Sequence, residues 1–370
     1  MSSFAIFRLP HADQCTLIEG EVETLPSLAD LNGKQGFVIA PFDSTPQTPL
    51  LLIKPDKISQ DSLHPSCVPS VASDQRSSAP FTTHLFPPPS GGVRGDLLSS
   101  PSHTYLKDFA TFHEALMAGQ FQKLVLARCA IEPNDASNEP LALFHKACKL
   151  YPRMFIALVS TPQSGTWLTA TPEILLESLP HSDHWRTIAL AGTMRLHDDE
   201  LDGEGLHLRW STKNIQEQRY VASFIADTLY HLGIDYEEEG PRTVRAANLV
   251  HLRSDFTFIY NSTRVGDLLA ALHPTPAVSG LPKEKALAFI TTHEQAPRRY
   301  YSGFMGPLNL PSLPLTHLYV SLRCMQIEED AYHLYAGGGL LRDSSCDKEW
   351  CETEAKMETM RKLLNGQIVK

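Results

Sequence analysis

THLYVSLRCMQIEEDAYHLYAGGGLL (316–341) decides the fold class. Two runs rich in apolar, aromatic and β-branched residues, 316–327 and 331–338, are separated only by Glu328, Glu329 and Asp330. That connection is too short for a crossover helix, so the two strands it predicts pair antiparallel. Further strands are expected at FQKLVLARCAI (121–131), MFIALVS (154–160), TWLTA (166–170), RTIALAGT (186–193) and YYSGFMG (300–306), several of them close neighbours in the chain. Helical spacing of Leu106, Phe109, Phe112 and Leu116, with Gly119 as a stop, predicts a helix there, and others are expected at about 141–151, 211–232, 264–272, 283–291 and 346–365. The class is α+β, with no internal repeat.

Residues 1–104 read differently. Short apolar runs such as GFVIAPF (36–42) and LLIK (51–54) sit among turn residues, and 59–102 is rich in Pro and Ser. The expectation is a loop-rich N-terminal region, 1–104, that contributes to the same fold without chemistry, followed by a catalytic region, 105–370.

The 370 residues are 42% hydrophobic and 20% charged, an ordinary globular composition. Acidic residues outnumber basic ones by 42 to 32, for a net charge of −10, which argues against nucleic-acid and polybasic membrane binding; an anionic substrate would need a locally cationic pocket. Seven scattered cysteines show no zinc spacing and no disulfide framework. The N-terminus lacks the pattern of a signal peptide, and no apolar run reaches the roughly 18 residues of a membrane span, so a cytoplasmic protein is expected.

Candidate chemistry comes from side chains in costly places. Lys123 shares a strand face with Phe121, Val125 and Ala127 and should be partly desolvated, the setting of a general base. Glu349, Glu352 and Lys356 fall at i, i+3 and i+7, one face of the last helix. Glu217 shares a helical stripe with Val221, Phe224 and Thr228, and a carboxylate there is expensive unless paired or bound to metal. Together these three glutamates make an all-oxygen donor set that suits magnesium. Gly337 and Gly338, in AGGGLL (336–341), permit close backbone approach to a ligand. Arg323, expected on a strand face with Tyr319, Ser321 and Met325, can take a carboxylate bidentately, and Gly192–Thr193 in AGTMR (191–195) is a second carboxylate cradle.

KLVLAR (123–128), TPEILLE (171–177), ALAGTMR (189–195), LHPTPAVSG (272–280), RRYYSGFMG (298–306), VSLRC (320–324), YAGGGLL (335–341) and EWCETEAK (349–356) occur in that order. By these motifs the chain from about 105 to 366 resembles the chorismate-utilising enzymes: isochorismate synthase, salicylate synthase, aminodeoxychorismate synthase and the large subunit of anthranilate synthase. The resemblance implies a fold of two antiparallel β-sheets forming a sandwich-like core with helices outside, a monomer, chorismate as substrate and Mg2+ on its ring carboxylate. It implies Lys123 as base and Glu173, in TPEIL, as acid, with burial raising the carboxyl's pKa. It also implies Glu217, Glu349 and Glu352 as metal ligands. Gly192, Thr193, His251, Thr275, Tyr301, Arg323, Gly337, Gly338 and Lys356 are its implied substrate contacts. A lysine at 123 matches members that use water as nucleophile, and HPTPAVSG looks most like isochorismate synthases, whose product serves menaquinone, siderophore or salicylate formation. Salicylate synthase and aminodeoxychorismate synthase are the alternatives. One motif departs from the family. Where members show Lys, an acid, two variable positions and Glu-His, this chain reads KNIQEQ (213–218), with Asn214 and Gln218 in place of the acid and the histidine.

Overall fold

A computed structural model describes residues 3–62, 100–134, 138–195, 209–246, 249–310 and 315–365. Four strands come first, β1 (Ser3–Arg8), β2 (Gln14–Leu25), β3 (Gly36–Ala40) and β4 (Leu50–Ser62). Then follow α1 (His103–Met117), β5 (Lys123–Pro133), α2 (Pro140–Leu150), β6 (Phe155–Thr161), β7 (Gly165–Thr171), β8 (Ile174–Ser178) and β9 (His184–Arg195). The chain continues through α3 (Thr212–His231), β10 (Tyr236–Ala246), β11 (Leu249–Ile259), α4 (Val265–Leu272), β12 (Gly280–Leu281) and α5 (Lys283–His293). It ends with β13 (Phe304–Leu308), β14 (His317–Val320), β15 (Cys324–Ile327), β16 (Ala331–Leu340) and α6 (Cys346–Leu364). The α+β class and the antiparallel pairing expected from 316–341 are present: Cys324–Ile327 pairs with Tyr332–Tyr335.

Hydrogen bonds join the described strands into one ladder of sixteen, ordered β10-β11-β9-β8-β14-β13-β3-β4-β2-β1-β6-β7-β15-β16-β5-β12, rather than dividing them between two sheets. Twist lets so long a ladder curl over itself. Strands from opposite ends therefore share one apolar cluster, in which Ile188 and Leu190 of β9 meet Phe37 of β3, Phe155 of β6, Trp167 of β7 and Ala127 of β5. Period-2 alternation sends the intervening residues outward. Val38, Ala40, Ala189 and Ala191 pack under α3 and α4, while Ile156 and Leu158 pack under α2 and α6. Burying Val221, Ile225 and Leu229 of α3 in the first of these outer layers stabilises the fold by roughly 1.5–3 kcal/mol each.

The N-terminal expectation needs correcting over its described part. Residues 3–62 are not loop-rich: β1–β4 occupy the middle of the ladder, and Phe37–Ile39 and Leu51–Ile53 are fully buried. Both faces of β3 and of Leu50–Ile53 in β4 are covered, so those residues read as continuous apolar runs without polar alternation. Most of the Pro/Ser-rich stretch lies outside the described residues, which omit 63–99. The run 316–327 is not one strand either. It breaks at Ser321–Arg323, where Arg323 adopts φ +45°, and β14 pairs with β13 and β8 while β15 pairs with β7 and β16. Arg323 therefore does not share a face with Met325, which packs in an outer layer. Likewise 300–303 is a turn that precedes β13, and β16 runs past 338 through all three glycines to Leu340. No helix among the described residues is long and apolar enough to cross a membrane, and Cys129, Cys148, Cys324, Cys346 and Cys351 are free thiols.

Candidate active site

Helix α3 starts on Ser211, whose hydroxyl accepts from the Asn214 N–H at 3.2 Å. Its buried stripe places Glu217 beside the ladder, against β5 and β16. There the Lys123 Nζ, fully buried at the start of β5, stands 3.1 Å from Glu217 Oε1. The contact is possible because position 339 is glycine. A Cβ at Gly339 would lie 2.0 Å from Glu217 Oε1 and 3.0 Å from the Lys123 Cε. Gly337 faces the Tyr301 hydroxyl and Gly338 faces Glu349 Oε2 in the same way, at 2.8 and 3.2 Å from a Cβ built there. The glycines thus form a bare strand on which side chains from α3 and α6 rest.

Helix α6 contributes Glu349, Glu352 and Lys356 from one face, as their spacing predicts. Lys356 Nζ pairs with Glu352 Oε1 at 2.7 Å and donates to the Gly337 carbonyl at 2.8 Å. Glu349 is 2% exposed; Lys213, one turn before Glu217, donates to its Oε1, while its Oε2 is buried without a hydrogen-bond partner. Burial, then the neighbouring Glu352, pushes the Glu349 carboxyl up to about 7. Burial also opposes ionisation of Glu217, but Lys123, Lys213 and Lys356 outweigh it and hold that carboxyl below its usual range. Burial lowers the Lys213 ammonium less than Glu349, Glu217 and Glu352 raise it.

A cleft with about 650 Å³ of empty space, open solvent at its mouth included, lies beside these groups, lined by Glu173, Gly192, Thr193, Glu217, His251, Tyr301, Arg323, Gly337 and Lys356 among the expected residues, with apolar walls that include Leu190, Ala277, Val278 and Leu322. Glu173 occupies the turn between β7 and β8, 4% exposed, where burial pushes its carboxyl up to about 7 against the pull of Lys123, Lys356 and Arg323. It precedes a strand, so it caps no helix. His251 is held neutral by burial and then by Arg323 and Lys356. Its Nε2 accepts from the Arg323 guanidinium at 2.8 Å, so Nδ1 carries the proton and donates to Thr193 Oγ1 at 3.3 Å. Gly192, with φ +74°, is the extra residue of a β-bulge between β9 and β11 that turns Thr193 toward His251. The Tyr301 ring stacks on Tyr335 at 5.6 Å.

Lys123, Thr275, Gly338, Glu349 and Glu352 are not among the cleft's lining residues; Lys123 lies behind its wall against Glu217, which does line it. The Thr275 carbonyl accepts from the Val278 and Ser279 N–H groups at 3.1 and 3.0 Å, and its hydroxyl is buried without a hydrogen-bond partner. The two departures from the motif also face away from the three glutamates. Gln218 is fully buried and donates to Ser254 Oγ at 2.9 Å, and Asn214 Nδ2 donates to the Thr193 carbonyl at 3.4 Å. Among the described residues, no three metal-ligating side chains converge on one point, because each glutamate is drawn to its own lysine. The donor set nonetheless fits a hard divalent cation: all oxygens, two of the three carboxylates nine-tenths or nearly so buried, and Glu349 Oε2 unpartnered opposite a glycine.

Two groups escaped the sequence reading. Lys213 precedes Glu217 by four residues, a spacing that was there to be read. Arg298, 5% exposed, clamps the walls: it donates to the carbonyls of Val278 at 2.6 Å and Val125 at 2.8 Å, and to both oxygens of Glu294. Its local signal is Glu294, four residues earlier; the two carbonyls it also holds lie elsewhere in the chain.

A sequence model of the family described as "Chorismate binding enzyme" matches residues 93–365. Isochorismate synthase EntC of Escherichia coli K12 is 31% identical over 265 residues, 70% of this chain and 67% of that one. Isochorismate synthase MenF of the same strain is 30% identical over 267 residues, 70% of this chain and 59% of that one. The crystal structure of a putative 2,3-dihydroxybenzoate-specific isochorismate synthase, DhbC, from Bacillus anthracis superposes with a TM-score of 0.75, covering 98% of this chain and 96% of that one at 22% identity, which shows a shared fold. With this match over most of its length, the chain belongs to the chorismate-binding enzymes and is most like the isochorismate synthases among them.

Proposed function

We propose that the protein is a magnesium-dependent isochorismate synthase that adds water at ring carbon 2 of chorismate and expels the carbon-4 hydroxyl. The observation that carries this reading is Glu173: a buried carboxyl, near-neutral in pKa, in a cleft that also presents Arg323 and Lys356. A carboxylic acid that keeps its proton near pH 7 is what a hydroxide leaving group needs. Arg323, braced by neutral His251, presents a fixed guanidinium to one substrate carboxylate, and Lys356, with the backbone at Gly192–Thr193 and Gly337, receives the other. The apolar walls cover the ring and exclude bulk water.

Lys123 takes the proton of the attacking water on its Nζ, and the ammonium so formed is stabilised by Glu217. The new C–O bond forms at carbon 2, the double bonds shift, and the carbon-4 C–O bond breaks as Glu173 delivers its proton to the departing oxygen. Lys123 gains one proton and Glu173 loses one, and exchange with solvent resets both. Glu217, Glu349 and Glu352 would hold the magnesium ion, with Asn214 and Gln218 outside its ligand set. When bound, that ion supplies Lewis-acid stabilisation of charge developing through the ring carboxylate.

Product analysis after incubating the pure protein with chorismate and MgCl2, with and without ammonium, tests the proposal. Isochorismate alone is expected in both cases. Salicylate with pyruvate, or an aminated product, would replace it by one of the sister activities.

A further inference from the structure

Lys213 has no part in the proton transfers or in holding substrate, and it does not line the cleft. It is nevertheless the cation closest to Glu349, 136 residues further along the chain, and it acts electrostatically on Glu217 and Glu352 as well. Three carboxylates end on three lysines here: Glu217 on Lys123, Glu349 on Lys213, Glu352 on Lys356. Without a dication, buried carboxylates this close would repel one another, and each lysine removes part of that repulsion. Lys123 and Lys356 have further tasks in the reaction. Lys213 has only this one.

We propose that Lys213 is an internal counter-cation that competes with the divalent metal for Glu349, so that metal binds weakly until a dianionic substrate enters. The inference rests on reading Glu217, Glu349 and Glu352 as the metal's ligands. A fixed positive charge beside a dication site opposes loading, and the opposition is strong where solvent screens little. Two negative charges on the substrate offset it. Metal and substrate then bind more tightly together than either does alone, and Lys213 is the residue that makes them do so.

The test uses the full-length protein and Mn2+, whose free concentration is read by electron paramagnetic resonance. Without substrate, K213M should bind Mn2+ at least about tenfold more tightly than wild type, and K213R should bind like wild type. In chelator K213M should melt at a lower temperature than wild type and recover on adding Mn2+. In an E173Q background, which slows turnover about 10²–10⁴-fold, chorismate should tighten Mn2+ binding far more when Lys213 is present than in E173Q/K213M. If K213M does not fold, K213Q, which keeps an N–H for Glu349 without the charge, is read the same way. Equal or weaker Mn2+ binding by the uncharged variant overturns this inference alone. No Mn2+ binding by any of the proteins, with or without chorismate, overturns the metal reading and this inference with it.

Discussion

Replacing Glu173 by Gln keeps the side chain's size and neutrality but removes the proton it donates. In the structure that carboxyl is 4% exposed and burial moves it from 4.5 to about 7. In the free enzyme about half the molecules then carry the proton at pH 7 and about a tenth at pH 8, so wild-type kcat/KM should fall as pH rises through 7. E173Q should lose about 10²–10⁴-fold in kcat while chorismate still binds. Stability also falls as pH rises. A carboxyl whose folded pKa is raised favours the fold below its unfolded value, and that contribution is lost as pH rises through the folded value. Between 4.5 and about 7 wild type therefore forfeits roughly 3 kcal/mol that E173Q does not. The assay is steady-state isochorismate formation from pH 5.5 to 8.5, with chorismate affinity from fluorescence titration and thermal melts at pH 5 and 8. A melting temperature for E173Q at pH 8 that equals or exceeds wild type would show that lost turnover is not lost structure. Turnover by E173Q within threefold of wild type, or a flat wild-type profile from pH 6 to 8.5, would refute the acid role.

Lys123→Ala should lower kcat by at least about a hundredfold without abolishing chorismate binding, checked by the same two assays. Arg323→Lys keeps the charge but loses the planar fork and its bond to His251, so KM should rise about tenfold or more with a smaller change in kcat; an unchanged KM makes Arg323 structural. Gly339→Ala must push Glu217 away from Lys123, and such a displacement should cost about a hundredfold in turnover with little change in far-UV circular dichroism. Excess chelator should abolish turnover and Glu352→Gln should nearly do so; full activity in chelator would remove the metal from the mechanism.

Much of this site was legible before any tertiary contact was known. The face shared by Glu349, Glu352 and Lys356 follows from helical periodicity, and the apolar neighbours of Lys123 and Glu173 announced burial. Other features were not. β10 and β11 went unread because Arg242, Arg253 and Asp255 interrupt their apolar pattern, and those charges are tolerated because Asp255 pairs with Arg242 on the neighbouring strand and with Arg253 on its own. The break at Ser321–Arg323 hides inside a run of good strand formers, since what ends β14 is a change of partner strands and not a local breaker.

The sequence by itself determined the antiparallel α+β class, the order of the motifs and the residue types that do the chemistry, because periodicity and short connections act over a few residues. Only the tertiary structure decided which charges meet. Glu217 on α3 reaches Lys123 on β5 across the bare backbone of Gly339 on β16, and Arg323 finds His251, 72 residues away, beside a bulge at Gly192. Such meetings depend on strand register and on the absence of a Cβ at one facing position, and both are settled by how distant segments pack.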